Sequence, residues 1–257
     1  MPMVLDAAAP TMLARCRRSG TVCNLTLNEL ASRSEAGAFQ AAAIEALGGE
    51  ACGYKIGATS VEVQRLLSCT EPIYAPIPRE YVLPSAAVFR IPDGLLGVEC
   101  EFGFLMSRDY PASGEATEMA TLRSAVAGCF MALELVGRRV SADVPLNEAS
   151  SIADYALNVA VVRGAPIADW ESRDLAMTPV RAMLDGVIAA SGTGAMALDH
   201  PVKALLWLAR KLHRRGARLR GGEIVLTGTC TGITRVAPGQ MFEGCFADLS
   251  PVQLRLG

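Results

Sequence analysis

The chain has 257 residues, and 24 lysines and arginines against 26 aspartates and glutamates give it a formal net charge of −2. Hydrophobic residues make up 51% of the chain, which excludes a disordered composition and allows a sizeable core. The near-neutral charge argues against a nucleic-acid binder, and no uncharged stretch approaches the roughly 18 to 20 apolar residues that a membrane-spanning helix needs.

The eight cysteines are scattered along the chain, and no two of them are spaced as C-x-x-C. Zinc sites need closely spaced pairs of ligands, so we interpret these cysteines as small buried apolar residues. The N-terminal segment has no secretory signal pattern, because Asp6, Arg15, Arg17 and Arg18 interrupt its short apolar pieces. These observations predict a cytoplasmic protein with reduced thiols.

The first fifty residues are predicted to be helical. In the range 27–47 alanine is frequent and apolar residues recur at helical spacing, until Gly48 ends the run. A short strand is predicted at 53–57, followed by a helix with Ser60 as its N-cap. Four prolines in the range 71–84 exclude a regular helix there and predict an extended loop or an edge segment.

Beyond Val88 the pattern changes to strands interrupted by two helices. Residues 97–106 alternate between an apolar row and a row that contains Glu99 and Glu101, which predicts a strand. The remaining predicted elements are, in chain order, an amphipathic helix at 119–133, a strand at 132–140, a strand at 156–163, a helix that Asp199 or His200 caps and Gly216 ends, a strand at 223–227, a turn at 228–232 and a strand at 241–256.

A helical front followed by a strand-rich rear favours the α+β class over a regularly alternating parallel sheet. We therefore expect an N-terminal helical and extended part, residues 1–85, and a β-rich catalytic domain, residues 86–257. The two parts are expected to form one functional unit.

Glu99 and Glu101 form the sharpest chemical feature of the sequence. Residues i and i+2 of a strand share a face, so these two carboxylates project side by side. They could simply be the solvated side of an amphipathic strand. Glu134, however, interrupts the apolar run 130–136, where burial of a lone carboxylate would be costly. A hard divalent cation, Mg²⁺, Mn²⁺ or Ca²⁺, would reconcile three carboxylates whose motifs contain no cationic residue.

Lys55 is the only charged residue between Ala51 and Val61. A lysine at a strand end usually extends to solvent, whereas a buried one would be a fixed cation that binds a substrate carboxylate or moves a proton. The turn 227–232 offers threonine hydroxyls and backbone N–H groups that suit an anion, although a plain hairpin turn has a similar composition.

Several catalytic motifs are absent from the sequence. It contains no P-loop, no H-E-x-x-H and no G-x-S-x-G. Gly192–Ala197 imitates a dinucleotide-binding fingerprint, but no convincing strand precedes it and no acidic residue follows at the right distance. Of the two histidines, His200 is interpreted as a helix cap and His213 as a surface residue.

Several segments, ordered along the chain from about residue 50 onward, together resemble the fumarylacetoacetate hydrolase superfamily. Within it they are similar to the branch of 2-keto-4-pentenoate hydratases and 4-oxalocrotonate decarboxylases. The segments are Gly53–Ser60, Val98–Phe104, Ala132–Val136, Ile152–Asp154, His200–Ala209, Leu219–Gly228 and Pro238-Gly239.

This resemblance implies a mixed β-sandwich roll with an N-terminal helical part, and a homo-oligomer that acts on a small 2-oxo acid. It implies that Glu99, Glu101 and Glu134 bind Mg²⁺ or Mn²⁺, which would chelate the 2-oxo and carboxylate oxygens of the substrate. Lys55 and Asp154 would be catalytic. The residues that would contact the substrate are Thr59, Ser60, Tyr74, Arg139, Thr227, Gly228 and Thr229.

The resemblance leaves the reaction open. The leading hypothesis is hydration of an unsaturated 2-oxo acid of the 2-hydroxypenta-2,4-dienoate type to a 4-hydroxy-2-oxo acid. Pro72–Ala75 stands where hydratases commonly carry an Asp, an aromatic residue and Gly, and Arg138 would suit a dianion, so decarboxylation of a 2-oxo diacid is the alternative. C–C hydrolysis is disfavoured because no histidine precedes His200, and an inactive acid-binding member is disfavoured because Lys55 and the three glutamates are intact.

Overall fold

The computed structural model describes residues 6–257, so the part of the predicted N-terminal helix that falls on residues 1–5 lies outside it. The strands of the described chain are β1 (Ala51–Gly57), β2 (Ile73–Pro78), β3 (Val82–Pro84), β4 (Ala87–Phe89), β5 (Leu95–Met106), β6 (Val126–Gly137), β7 (Asn158–Ile167), β8 (Pro179–Leu184), β9 (Val187–Thr193), β10 (Ile224–Thr229), β11 (Met241–Phe246) and β12 (Val252–Leu256). Its α-helices are α1 (Ala9–Ser19), α2 (Arg33–Leu47), α3 (Val61–Leu66), α4 (Met119–Ser124), α5 (Glu148–Ala153) and α6 (Pro201–His213).

The strands form two mixed sheets. The seven-stranded sheet has the order β2-β1-β10-β5-β6-β7-β3, and the five-stranded sheet has the order β4-β12-β11-β8-β9. Three pairs are parallel, namely β1 with β10, β3 with β7, and β4 with β12. The predicted α+β class with mixed sheets is confirmed. Strands from both sides of residue 85 pair within the larger sheet, so β1 lies only two strands from β5.

The main core lies between the two sheets. The apolar row of β5 is buried there and packs against β8 and β11 of the smaller sheet. The rings of Phe102 and Phe246 meet edge to face with centroids 5.1 Å apart. Gly244 of β11 permits the close approach of the two sheets, because a Cβ at that position would lie 2.7 Å from the side chain of Leu133 on β6. The opposite face of β5, which carries Glu99 and Glu101, is therefore left for the functional site.

The N-terminal helices form a second core with α5 and the segment that follows it. Leu13 of α1, Ala36 and Ala43 of α2 and Tyr155 are fully buried in this cluster. The predicted continuous helix over the first fifty residues is wrong, because Gly20 ends α1 in a left-handed conformation (φ 69°). An extended segment and a short 3-10 turn follow it, and α2 starts at Arg33.

Two other predicted boundaries also need correction. The helix predicted at 119–133 ends at Ser124, and Val126–Gly137 is a strand whose two faces are largely buried. A continuous apolar run satisfies helical and strand spacing equally, and pairing with β5 and β7 decides for the strand. The predicted strand at 241–256 is two strands, β11 and β12, which pair with each other.

The locally encoded features are confirmed. Ser60 caps α3 by accepting a hydrogen bond from the Val63 N–H, and Nδ1 of His200 accepts one from the Val202 N–H at the start of α6. The proline-rich segment provides β2 and β3, the two edge strands of the larger sheet. The expectation that no strand precedes Gly192–Ala197 is wrong, because its first two residues lie in β9. A short 3-10 turn follows them, not the α-helix that a dinucleotide-binding loop would open.

The cysteines follow the sequence interpretation. All eight are free, and six of them are buried. Within residues 6–257, no helix combines the length and the apolar character that crossing a membrane requires.

Candidate active site

Three carboxylates meet on the face of the larger sheet that the main core leaves free. Glu99 of β5 lies directly opposite Glu134 of β6, and Glu101 follows two residues after Glu99 on the same face. One carboxylate oxygen from each of the three lies within 4.8 Å of the others. Glu101 and Glu134 are 0% exposed and Glu99 is partly exposed, so a merely solvated polar face is excluded for this strand.

Lys55 brings a buried cation to the same place from β1. Its side chain is only 3% exposed, and its Nζ lies 3.2 Å from Oε2 of Glu134. Nζ also donates a hydrogen bond of 2.9 Å to the carbonyl of Ala156. The solvent-extended lysine is thus excluded. Gly57 keeps room for the ammonium group, because a Cβ there would lie 3.0 Å from Nζ.

An unusual backbone turn aims the Ala156 carbonyl at Lys55. Tyr155, Ala156 and Leu157 all have positive φ values, of 54°, 49° and 64°. Residues with a Cβ seldom adopt this left-handed conformation, and three in succession store backbone strain that the surrounding packing must offset. All three side chains are buried, which holds the turn in place.

The carboxylate cluster is electrostatically unfavourable without a cation. Desolvation, followed by repulsion from Glu134, raises the pKa of Glu99 to about 7 against the opposing effects of Lys55 and a hydrogen bond from Thr229. Burial, together with the charges of Glu134 and Glu99, raises the pKa of Glu101 well above its ordinary value. Three acidic groups face one ammonium group, so a divalent cation would relieve the excess negative charge.

The free oxygens of the cluster fit a hard metal ion. Oε2 of Glu101 accepts a hydrogen bond of 2.8 Å from the Gly228 N–H, while its Oε1 is buried without a hydrogen-bond partner. Oε1 of Glu134 accepts one of 2.8 Å from Asn158, while its Oε2 faces Lys55 without hydrogen-bond alignment. Glu101 and Glu134 are therefore each held through one oxygen and offer the other. An oxygen-only donor set of this kind suits Mg²⁺ or Mn²⁺.

A cavity of about 310 Å³ opens beside the cluster. Its polar walls include Lys55, Glu99 and three of the predicted substrate-contacting residues, Thr59, Ser60 and Thr229. Its apolar walls are formed by Ile56, Val63, Leu67, Ile73, Val136, Leu157, Met196 and Ile233, together with smaller residues. The polar end of the cavity thus carries Lys55 and Glu99, whereas Glu101 and Glu134 are not part of its lining. The rest of the lining is mainly apolar, with Glu62 as a further carboxylate.

Gly228 lies immediately behind one wall of this cavity. A Cβ at Gly228 would lie 2.4 Å from Cγ2 of Thr59, and its φ of 103° also favours glycine. Its N–H group holds Glu101. Neighbouring Thr227 is fully buried, and its hydroxyl donates a hydrogen bond of 2.9 Å to the Phe102 carbonyl.

The structure keeps Asp154, Arg139 and Tyr74 out of the cavity lining. Asp154 and Arg139 form a buried ion pair, with Oδ1 of Asp154 and Nε of Arg139 2.6 Å apart. The backbone N–H of Arg139 also donates a hydrogen bond to Oδ2 of Asp154. Tyr74 of β2 pairs with Ile56 of β1, so it does not share the sheet face that carries Lys55. Its hydroxyl accepts a hydrogen bond from Arg215. The guanidinium group of Arg138 donates to the carbonyls of Val140, Ser141 and Val144, so it is not free for a dianionic substrate.

Asn158 and Arg17 are site-related residues that the sequence did not reveal. The side chain of Asn158 donates to Glu134, and that of Arg17 donates to Asn158. Arg17 is 141 positions away from Asn158 in the chain, and no pattern in the sequence links them.

The raised pKa values predict that the metal-free protein loses stability as pH rises. When a carboxyl pKa is higher in the folded state, its contribution is fully present below the unfolded value, near 4.5, and is lost as pH rises through the folded value, about 7 for Glu99. In EDTA, Tm should therefore fall by on the order of 5 °C between pH 5.5 and pH 8. Saturating Mn²⁺ should remove most of this fall. The control variant Glu45→Gln, which changes an exposed residue of α2, should show the same fall in Tm as the wild type. A Tm that is constant or rises between pH 5.5 and pH 8 would contradict the raised carboxyl pKa values.

A family model for the fumarylacetoacetate (FAA) hydrolase C-terminal region matches residues 55–256 of the chain. The TodF product hydratase of Pseudomonas putida F1 is 34% identical over 205 residues, which cover 78% of this chain and 74% of that protein. The 2-keto-4-pentenoate hydratase of Paraburkholderia xenovorans LB400 is 34% identical over 200 residues, which cover 77% and 72%.

The fold is similar to that of a solved structure, 4-oxalocrotonate decarboxylase from Pseudomonas putida G7 complexed with magnesium and adipate. The TM-score is 0.87 and the alignment covers 99% of both chains at 22% identity. This likeness concerns the fold, and it confirms the mixed β-sandwich roll with an N-terminal helical part.

Proposed function

The chain belongs to the fumarylacetoacetate hydrolase family, and we propose that it is a metal-dependent hydro-lyase that hydrates an unsaturated 2-oxo acid of the 2-hydroxypenta-2,4-dienoate type to a 4-hydroxy-2-oxo acid. The observation that carries this proposal is the cluster of Glu99, Glu101, Glu134 and Lys55, of which Glu99 and Lys55 line a largely apolar cavity. The hydratase names of relatives at 34% identity support it.

Different residues of the chain have different roles along the cavity. A bound Mg²⁺ or Mn²⁺, held by the three glutamates, would supply Lewis acidity toward the 2-oxo and carboxylate oxygens of the substrate. Nζ of Lys55 lines the cavity beside Glu134, where it binds the substrate carboxylate or transfers a proton to or from the substrate. The hydroxyls of Thr59, Ser60 and Thr229 orient substrate oxygens, and the apolar walls hold the hydrocarbon end.

Asp154 has a positioning role in this proposal. Its carboxylate is engaged by Arg139, whose guanidinium also donates to the Asn158 carbonyl. The pair fixes the segment that carries Ala156, the carbonyl acceptor of Lys55. We therefore expect Asp154 to act on the reaction through Lys55.

The charges around the cavity favour a substrate with an uncharged tail. Lys55 is the only cationic residue among the described residues that line it, and Glu62 lies on the wall formed by α3. A second carboxylate on the substrate would find no cationic partner and would be repelled by Glu62.

Glu62→Arg is therefore expected to shift specificity toward diacids. With Mn²⁺ present, wild-type protein should bind 2-oxohexanoate more tightly than 2-oxoadipate, and the variant should change the ratio of the two Kd values by about tenfold, the effect of 1.4 kcal/mol. Isothermal titration calorimetry measures both constants. Glu45→Arg, a matched charge reversal away from the cavity, should leave the ratio unchanged. Tighter binding of 2-oxoadipate by the wild type would contradict the uncharged-tail proposal.

Product analysis tests the reaction itself. Purified protein with Mg²⁺ or Mn²⁺ should convert 2-hydroxypenta-2,4-dienoate to 4-hydroxy-2-oxopentanoate, seen as loss of the dienol absorbance and as one product by mass spectrometry. No conversion of this substrate or of its alkyl homologues would refute hydration.

Decarboxylation of a 2-oxo diacid is the second candidate, favoured by Pro72–Ala75 in place of the Asp, aromatic residue and Gly of hydratases. Release of CO₂ from 4-oxalocrotonate would identify it. Among residues 6–257, Lys55 is the single cation of the cavity lining, and this favours hydration.

The proposal includes a cytoplasmic homo-oligomer. Val61, Leu66, Met196 and Ile233 are large apolar residues with exposures of 61, 76, 38 and 48%, and all lie on or next to the cavity walls. Their exposure supports an assembly that covers this region. Light scattering coupled to size-exclusion chromatography tests it, and a monomer at micromolar concentration would contradict it.

A further inference from the structure

We propose that Arg17 and Asn158 are positioning residues for Glu134, so that helix α1, outside the matched region 55–256, controls the affinity of the metal site. This inference rests on the proposed metal site. Asn158 is 0% exposed, and its Nδ2 donates a hydrogen bond of 2.8 Å to Oε1 of Glu134. Its Oδ1 accepts one of 2.9 Å from Nη2 of Arg17.

Arg17 determines which way the Asn158 amide faces. A guanidinium group can only donate, so the amide oxygen must point toward Arg17 and the amide NH₂ toward Glu134. The reversed amide would place two donors together and two acceptors together. Arg17 therefore fixes a donor on Oε1 of Glu134, which leaves Oε2 directed at the carboxylate cluster.

Both positioning residues are themselves held rigidly. The Asn158 carbonyl accepts hydrogen bonds of 3.0 Å from Arg17 and 2.7 Å from Arg139. The guanidinium carbon of Arg17 lies 4.4 Å from the ring centroid of Tyr81 and 4.5 Å from that of Tyr155, so the cation is clamped between two aromatic rings. Such outer partners orient a metal ligand and keep it ionised.

Neither residue lines the cavity beside the carboxylates, so they act on the site through Glu134 and not on the substrate. The competing explanation is that Arg17 only fastens α1 to the sheet. Arg18 provides the matched control, because it lies on the same helix and fastens α1 to α2 through the carbonyls of Ala46 and Leu47, with no link to Glu134.

The test measures the Kd for Mn²⁺ on EDTA-stripped, dialysed protein, by electron paramagnetic resonance of free Mn²⁺, together with Tm in EDTA. Arg17→Met and Asn158→Leu should each raise the Kd by about 10- to 100-fold, the range seen for partners of metal ligands. Arg18→Met should lower Tm while its Kd stays within about twofold of wild type. Asn158→Ser, which leaves Arg17 and its rings in place, serves if a larger change prevents folding, and it should also weaken binding.

An unchanged Kd in folded Arg17 and Asn158 variants, or an equal rise in Arg18→Met, would overturn the inference. Measurements on the wild-type protein distinguish a failure of this inference from a failure of the proposed function. A wild type that binds Mn²⁺ without hydrating a dienoate contradicts the reaction and leaves the inference standing. A wild type that does not bind Mn²⁺ contradicts the metal site, and the inference with it.

Discussion

Glu101→Gln is expected to abolish metal-dependent turnover and to raise the Tm of the metal-free protein. The metal would stabilise developing charge by several kcal/mol, so losing one of its three carboxylate ligands should lower kcat/KM by about a thousandfold or more. The same substitution removes one of the like charges whose repulsion destabilises the metal-free protein.

The geometry explains why glutamine can replace this glutamate without disrupting the fold. The glutamine oxygen can still accept the hydrogen bond from the Gly228 N–H. Its NH₂ group takes the place of Oε1, which has no partner in the glutamate, and can donate to a neighbouring carboxylate. A buried acceptor without a donor is thereby exchanged for a satisfied donor.

Two measurements check this prediction, namely kcat/KM with saturating Mn²⁺ and Tm in EDTA at pH 8. Tm of the variant should exceed that of the wild type by a few degrees, and Mn²⁺ should no longer raise it. Glu45→Gln serves as the control for a changed surface charge and should behave as the wild type. Full activity of Glu101→Gln would remove this residue from the site.

Lys55→Met should reduce activity far more than it reduces the stability of the metal-loaded protein. Methionine has a similar length but can neither bind a carboxylate nor transfer a proton, so kcat/KM should fall by about 10²- to 10⁴-fold. Glu134 keeps its hydrogen bond from Asn158 and would keep its metal partner. With Mn²⁺ bound, Tm should therefore remain close to that of the wild type.

Without metal the same variant should behave differently. Three carboxylates would then share the site with no cation, and Tm in EDTA at pH 8 should fall below that of the wild type. Lys203→Met is the matched control, since this lysine is 56% exposed and pairs weakly with Asp199 at 3.5 Å. Wild-type kcat/KM in Lys55→Met would contradict a catalytic role for the ammonium group.

The sequence was most informative where a residue acts on its immediate neighbours. Ser60 and His200 cap helices through N–H groups only two or three positions away. The strand period alone places Glu99 and Glu101 on one face. Glu134 could be joined to them because a carboxylate within an apolar run needs a partner that compensates its charge.

The sequence was least informative where distant packing decides the outcome. The run from Val126 to Leu133 fits a helix as well as a strand, and only its two neighbouring strands settle the choice. Hairpin β8–β9 was missed, although Asp185-Gly186, with φ values of 50° and 80°, is a common two-residue hairpin turn.

The orientation of side chains near the site depended on similar long-range effects. Asp154 pairs with Arg139 and does not line the cavity, and a left-handed turn follows it at 155–157. No local signal in the sequence predicts three such residues in succession. Arg17 lies beside Asn158, 141 positions away in the chain, only because of the tertiary packing of α1. Contacts of this kind need the three-dimensional structure.

The most direct test of the central claim is an anomalous-difference map from crystals grown with Mn²⁺. We expect one strong peak within coordination distance, about 2.1 Å for a comparable Mg²⁺ site, of an oxygen from each of Glu99, Glu101 and Glu134. Waters or a 2-oxo acid should complete the coordination on the cavity side. A map with no peak among the three carboxylates at saturating Mn²⁺, or a peak bound only elsewhere, would contradict the metal-dependent reaction.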